Sequence, residues 1–170
     1  LLAIEAVAYS VLMAVSSPDL KAFLHATPFF GGLSDASLDV LLSMLVERRI
    51  QAGQIIIAEG DPGRSMFVVH SGELKVSRQG HSGELVHTAD LGPGDFFGEM
   101  TLVEMQNRSA TVVAATATVL YELTAQNLYT YYKLDIHAYV IVLQNVNREL
   151  CRRLRRADAR VAELVHKLCQ

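Results

Sequence analysis

The stretch IQAGQIIIAEGDPGRSMFVVHSGELKV, residues 50–76, decides the fold. Its apolar residues come in short runs, and Gly53, Gly60, Pro62, Gly63 and Gly72 cut between them. Glycine reaches the positive-φ conformations of tight turns, and a helix would not carry so many breakers. The stretch therefore reads as strands joined by turns. Outward from it the pattern continues, with turn pairs at Ser82 and Gly83 and along Gly92, Pro93, Gly94 and Asp95. The spacing predicts strands over 48–50, 55–58, 65–70, 73–77, 84–91, 110–114 and 118–122. Many short strands with glycine turns point to a sandwich or a β jelly roll. The segment 98–107 has neither strand alternation nor a hairpin turn, and a short helix over about 99–103 is expected there.

Helical patterns flank this region, so the fold class is mainly β with flanking α. Before it, Ile4, Val7, Val11 and Val15 recur at helical spacing, and Ser17 with Pro18 reads as an N-cap and first-turn proline. Leu20, Phe23 and Leu24 mark the helix that follows. Ser34 opens another, with Leu38, Leu41, Leu42, Leu45 and Val46 as its apolar stripe. After it, Thr124 caps a segment from Ala125, and a long helix starts near His137. On that helix Leu143, Asn147, Leu150, Leu154, Ala157, Val161, Leu164 and Leu168 follow a 4-3 rhythm. Such a heptad seam fits a partner helix, with Asn147 as a polar break, or a helix lying across its own β domain. The expected division is 1–17 as a helix or linker, 18–136 as the β domain with its helices, and 137–170 as a lid or dimerisation helix.

The totals exclude several classes. The chain has 170 residues, 51% of them apolar, enough for one domain and an appendage. Its net charge of -3 argues against a nucleic-acid binder. The apolar start is broken by Glu5, lacks a basic leader and is shorter than the ~20 residues that span a bilayer. The sequence opens on Leu1 rather than Met. Cys151 and Cys169 lie too far apart on one straight helix to pair, and reduced thiols in a cytoplasmic protein are expected. No Walker loop precedes a lysine. His70, His81 and His87 contain no H-x-H pair, so no metal is expected. Ser71 and Gly72 make a hairpin turn rather than a nucleophile elbow. The arginines 148, 152, 153, 155, 156 and 160 alternate with Glu149, Asp158 and Glu163, which reads as a solvated coiled-coil face.

One segment carries chemistry: GDFFGEMTLVEMQNRSATVVA, residues 94–114, with Glu99 nine positions before Arg108. An arginine between a turn and a strand meets a phosphate bidentately, and Ser109 adds a hydroxyl and an amide. A short helix at Glu99 would add its N-terminal amides. Glu99 repels a phosphate but accepts from a hydroxyl, such as a ribose 2′-OH. Spacing alone leaves a second reading open, in which Arg108 bridges to Glu99 or Asp95.

The segment resembles the phosphate-binding cassette of the cyclic-nucleotide-binding domain family. The family pattern stands here as Phe97, Gly98, Glu99, then Thr101 and Leu102, then Arg108, Ser109, Ala110 and Thr111. Gly53, Gly60, Gly72 and the run from Leu91 to Asp95 resemble the family's turns. The tail CRRLRRADARVAEL resembles the dimer helix of catabolite activator-like regulators. The resemblance implies a cyclic-nucleotide-binding jelly roll with N-terminal helices and a long C-terminal helix. It assigns Arg108 to the cyclic phosphate and Glu99 to the ribose hydroxyl. Gly98, Ser109 and Ala110 close that end, and Phe97, Met100, Leu85 and Val86 line the sugar or base, with Met66 and Val68 as further candidates.

At the base end, Ala157 and Asp158 stand where catabolite activator-like proteins offer hydroxyls. Asp158 can accept from adenine or guanine, and Arg155 and Arg156 can cap or stack on the base. Serine after the cassette arginine implies cyclic AMP, with cyclic GMP the alternative. The implied function is a non-catalytic sensor that relays binding through its C-terminal helix, as a homodimer and without nucleic-acid contact of its own. Regulators of this type continue into a helix-turn-helix, and none follows before Gln170. The chain then reads as a sensor fragment of a transcription regulator, or as a regulatory domain attached to a channel, transporter or signalling enzyme.

Overall fold

A computed structural model describes residues 18–104 and 106–169. The expected helix around Ile4 to Val15, and the N-cap at Ser17, lie outside the described residues. Two helices come first, α1 (Pro18–Ala26) and α2 (Asp35–Leu42). Eight strands follow: β1 (Val46–Ile50), β2 (Ile55–Ile57), β3 (Ser65–Ser71), β4 (Leu74–Gln79), β5 (Leu85–Leu91), β6 (Phe96–Phe97), β7 (Thr111–Ala114) and β8 (Thr118–Thr124). A short helix, α3 (Met100–Glu104), sits between β6 and β7, and α4 (Ala125–Leu134) and α5 (Ile136–Leu168) end the chain.

The strands form two antiparallel four-stranded sheets, ordered β1-β8-β3-β6 and β2-β7-β4-β5. The expected fold class is met in part: the described chain is mixed α and β rather than mainly β, with two sheets between N-terminal helices and a long C-terminal helix, and among the described residues no strand pairing joins the sheets into a closed barrel. Alternation along β3 explains the layering. Phe67 and Val69 point inward and meet Leu74, Val112, Ala114 and Leu120 between the sheets. Met66 and Val68 point the other way, into a second core with α1, α2, α4 and α5. Both are packing residues of this core, and neither lines the cavity at residues 97–110. The structure adds β6, two residues too short to show an alternation, which pairs Phe97 with Phe67 and Phe96 with Val68.

Caps set the helix starts. Ser34 caps α2 by accepting from the Ser37 amide, and Thr124 caps α4 by accepting from the Asn127 amide. The expected stripe on α2 holds at Leu38, Leu41 and Leu42, but Val46 opens β1 and is exposed. Asp135 caps α5 through the Ala138 amide at 3.0 Å and accepts from the Ser37 hydroxyl at 2.7 Å. These two bonds hold its carboxyl below the ordinary range.

The first half of α5 buries Ala138, Val142, Asn145, Val146 and Glu149 against the body. Asn145 donates to the carbonyls of Phe29 at 3.1 Å and Gly31 at 2.8 Å, which anchors the helix to the α1–α2 loop. The second half leaves the body. Leu154, Val161, Leu164 and Leu168 are all exposed along it.

Candidate functional site

A cavity of about 280 Å³ lies between the second sheet, the cassette segment and α5. That is near the lower end of the range for small-ligand sites. Ile57, Val76, Leu91, Val112 and Phe97 give it an apolar wall. Arg108, Ser109 and Ala110 form one end, and Glu99, Glu149, Arg153 and Arg156 the side toward α5.

Arg108 arrives just before β7 and is buried. Its Nη1 donates to the Ser65 carbonyl at 2.7 Å, the Thr101 hydroxyl at 3.2 Å and the Gly98 carbonyl at 3.3 Å. Nη2 has one long contact, to Ser65 Oγ at 3.4 Å. Every one of these partners is neutral, and among the described residues Arg108 makes no ion pair. The bridge to Glu99 or Asp95 that spacing left open is not formed. Burial lowers the guanidinium below its ordinary value, opposed by the more distant charges of Glu122 and Glu99. Two glycines make the room. A Cβ on Gly98 would stand 2.6 Å from Arg108 Nη1, and Gly98 has φ +79 besides. A Cβ on Gly63 would run into the Arg108 guanidinium itself.

Glu99 follows β6 and precedes α3, with its side chain only 3% exposed. Its partner comes from α5: Arg153 donates from Nη1 to Glu99 Oε1 at 2.9 Å. Arg153 also donates to the Phe96 carbonyl, lies over the Phe96 ring at 5.2 Å and reaches Glu149 at 3.3 Å. Burial pushes the Glu99 carboxyl above the ordinary range, and Arg153 pulls against that rise. Glu149 in turn is ringed by Arg152, Arg153 and Arg156 at 3.3 to 3.4 Å.

The cavity brings together Phe97, Gly98, Glu99, Met100, Arg108, Ser109 and Ala110 from the expected site. Phe97 stacks on Phe67 at 5.2 Å, and Ser109 Oγ sits 3.7 Å from the Met100 sulfur. Two expected residues stand elsewhere. Val86, with Leu85, lies on the outer strand β5 and is 45% exposed, outside the lining; Ala89 and Leu91 of that strand line it instead. Asp158 is exposed on the part of α5 that has left the body, also outside the lining.

The basic cluster divides. Arg153 and Arg156 line the cavity, Arg156 being one of the two arginines expected near the base, whereas Arg148, Arg152, Arg155 and Arg160 lie outside the lining. The sequence signal was Glu149 with arginines three, four and seven residues on, all on one helix face. Thr101 stands in the cassette pattern, but Ser65, which holds Arg108, and Gly63, which leaves room for it, carry no comparable signal.

Residues 47–135 match the family described as cyclic nucleotide-binding domain. The chain belongs to this family. It is a cyclic-nucleotide-binding regulatory module with a long C-terminal helix, a binding domain rather than a catalytic one. It is 35% identical over 135 residues to the cyclic AMP receptor protein of Thermus thermophilus, covering 79% of this chain and 61% of that protein. The solved structure of the Thermus thermophilus catabolite activator protein superposes with a TM-score of 0.72 at 33% identity, over 81% of this chain and 63% of that one. A cyclic GMP-dependent protein kinase of Toxoplasma gondii is 36% identical over 99 residues, 58% of this chain and 10% of the kinase. The chain thus spans about three fifths of the receptor it matches. Among the described residues no helix is long and apolar enough to cross a membrane.

Proposed function

We propose that the cavity binds a cyclic nucleotide, with Arg108 on the cyclic phosphate and Glu99 on the ribose 2′-OH. One observation carries this reading. Arg108 is a buried cation whose hydrogen-bond partners are all neutral oxygens, and it faces a cavity with a buried carboxylate nearby. A buried charge left unneutralised is costly, and an anionic ligand removes that cost. Ser109 and Ala110 flank the phosphate, Gly98 lets the backbone come close, and Phe97 and Met100 cover the sugar. The purine is the part of the ligand that these contacts do not fix, and the expectation of cyclic AMP rests on Ser109.

The relay runs through Glu99. Its present partner, Arg153, stands on α5, so a ribose hydroxyl at Glu99 meets a carboxylate already bonded to the helix. Ligand shifts α5 to the extent that the bound and free helix positions differ in affinity for it. The exposed seam of α5 fits a second copy of the chain, and residues 137–170 act as lid and dimer helix on the domain 18–136. In a longer protein such a helix leads to an effector: the DNA-binding part of a transcription regulator, or a channel, transporter or signalling enzyme.

Titration calorimetry with cyclic AMP and cyclic GMP tests the reading. At least one should bind wild type, and Arg108→Ala should weaken it by about a hundredfold or more, as for loss of a buried charge-assisted contact. Absence of heat with both nucleotides would sink it.

A further inference from the structure

We propose that a second cavity, across α3 from the first, binds an uncharged one- or two-ring aromatic molecule that carries a single N–H or O–H donor. This cavity measures about 250 Å³ and lies between β3, α3, α4 and α5. Phe29, Met66, Val142 and Val146, each 4% exposed or less, form its floor. Leu102, Val103, Tyr139 and Leu143 stand at its mouth, where Val103 is 52% exposed. The short helix α3 separates the two cavities: its Met100 and Thr101 line the first, and its Leu102 and Val103 line the second. Glu99 reaches both.

The lining excludes charged ligands. It contains no arginine or lysine, so it has nothing to hold a phosphate or a carboxylate. An anion would also meet Glu99, the one charged group in the wall. A cation is not needed there, because Glu99 already has Arg153 at 2.9 Å. Burying a further charge without a partner is costly. Arg153 engages Oε1 of that carboxylate, and a carboxylate accepts at both oxygens. A neutral molecule with one donor uses what remains.

The walls favour a ring over a chain. Phe29 and Tyr139 bring aromatic surface, and Met66 brings a thioether, which sits well against a ring. Phe29 is itself held edge-on by Phe30 at 4.8 Å and Phe96 at 5.3 Å, so this wall keeps its place. A flexible chain loses rotamer freedom among buried, close-packed side chains, whereas a rigid ring loses little. Apolar cavities of this kind hold water poorly and take up compact aromatics such as benzene.

The test is NMR of the 170-residue chain with labelled methionine methyls, because Met66 lines the second cavity and Met100 the first. The probe is indole, which is neutral and has two fused rings and one N–H. Indole should shift the Met66 methyl and leave Met100 in place, with a Kd of about 1 mM or tighter. Benzofuran, of the same shape without the donor, should bind about threefold or more weakly. Hexanol, a flexible chain with one donor, should also bind more weakly than indole. Val146→Phe should fill the cavity and weaken indole by about tenfold or more. Val103→Trp, at the exposed mouth, should do the same without changing the buried floor. A shift at Met100 with none at Met66, no shift at either, or full indole affinity in Val103→Trp would overturn the site. Hexanol binding more tightly than indole, or benzofuran binding equally, would overturn the ligand class. The outcome is independent of the nucleotide reading: a Met66 shift with indole, in a chain that binds neither cyclic nucleotide, would keep this site and take down only the other.

Discussion

The two ends of the cavity each hold a buried or half-buried arginine, and they hold it in opposite ways. Arg108 is gripped by a carbonyl, a hydroxyl and a second carbonyl, all neutral. Arg153 is gripped by two carboxylates, Glu99 and Glu149. Geometry is fixed at both ends, but charge is balanced at only one. On the reading proposed above, the Arg108 end takes the anionic part of the ligand. The Arg153 end is balanced already, so whatever engages Glu99 competes with a helix.

The contrast breaks most sharply at Arg108. Arg108→Ala should remove nucleotide binding, by about a hundredfold or more in calorimetry, with a smaller effect on the fold. An arginine that merely held the cassette together would give the reverse pattern, a lost fold and unchanged affinity in whatever remained folded.

At the other end the larger effect should be on stability. Arg153→Ala leaves Glu99 buried without its cation. Removing one partner of a fully buried pair costs about 3–5 kcal/mol. Arg153 is a third exposed, and Glu99 can take up a proton, so about 2 kcal/mol is expected in urea unfolding. Adding Glu99→Gln to that variant should recover most of the loss, because the uncompensated charge is gone. The pH dependence has a definite sign. Burial raises the folded-state value of Glu99. Its contribution is therefore fully present below the ordinary carboxylate value and lost as pH rises through the raised one. Urea midpoints should fall across that window in wild type, and this fall should be missing in Glu99→Gln. In Arg153→Ala the fall should move to higher pH, since the pull of Arg153 is gone.

The same asymmetry governs what was legible in the sequence. Phe97, Gly98, Glu99 and Arg108 stand in a local pattern, and the glycine turns around them marked the strands. Of the holders of Arg108, Gly98 and Thr101 lie within the cassette, but Ser65 is forty-three residues away and shows only as an ordinary strand residue. Val86 and Asp158 rest on the family resemblance, and a resemblance does not say when an outer strand faces solvent or a helix has left the body. Arg153 and Glu149 were visible as types, but their role depends on where α5 crosses the cassette. Asn145, two places from the seam residue Asn147, turned out to be the buried polar anchor.

Gly63 sharpens the comparison from the backbone side. It lies beside the Arg108 guanidinium with no space for a Cβ. Gly63→Ala should push Arg108 off its three acceptors, weakening nucleotide binding by about tenfold and costing about 1–3 kcal/mol through overpacking. Nothing at the Glu99 end should respond, so the pH dependence assigned to Glu99 should be unchanged. A variant that lost that dependence would show the two ends to be one mechanical unit.

The smallest effect on stability is expected farthest from the cavity, where α5 divides in the same manner. Its first half is closed by Val142, Asn145 and Val146 against the body, and its second half exposes Leu154 at 62%, Val161 at 58% and Leu164 at 54%. Those three residues keep the heptad spacing that a partner helix needs. The pair Leu154→Lys and Leu164→Lys places like charges on the seam without touching a buried residue. Surface changes of this kind shift the stability of an isolated chain by about 0.5 kcal/mol or less. If two copies meet along the seam, sedimentation should show a dimer for wild type and a monomer for the double variant. If wild type already sediments as a monomer, the seam has no partner in a second copy, and α5 acts through the Glu99–Arg153 contact alone.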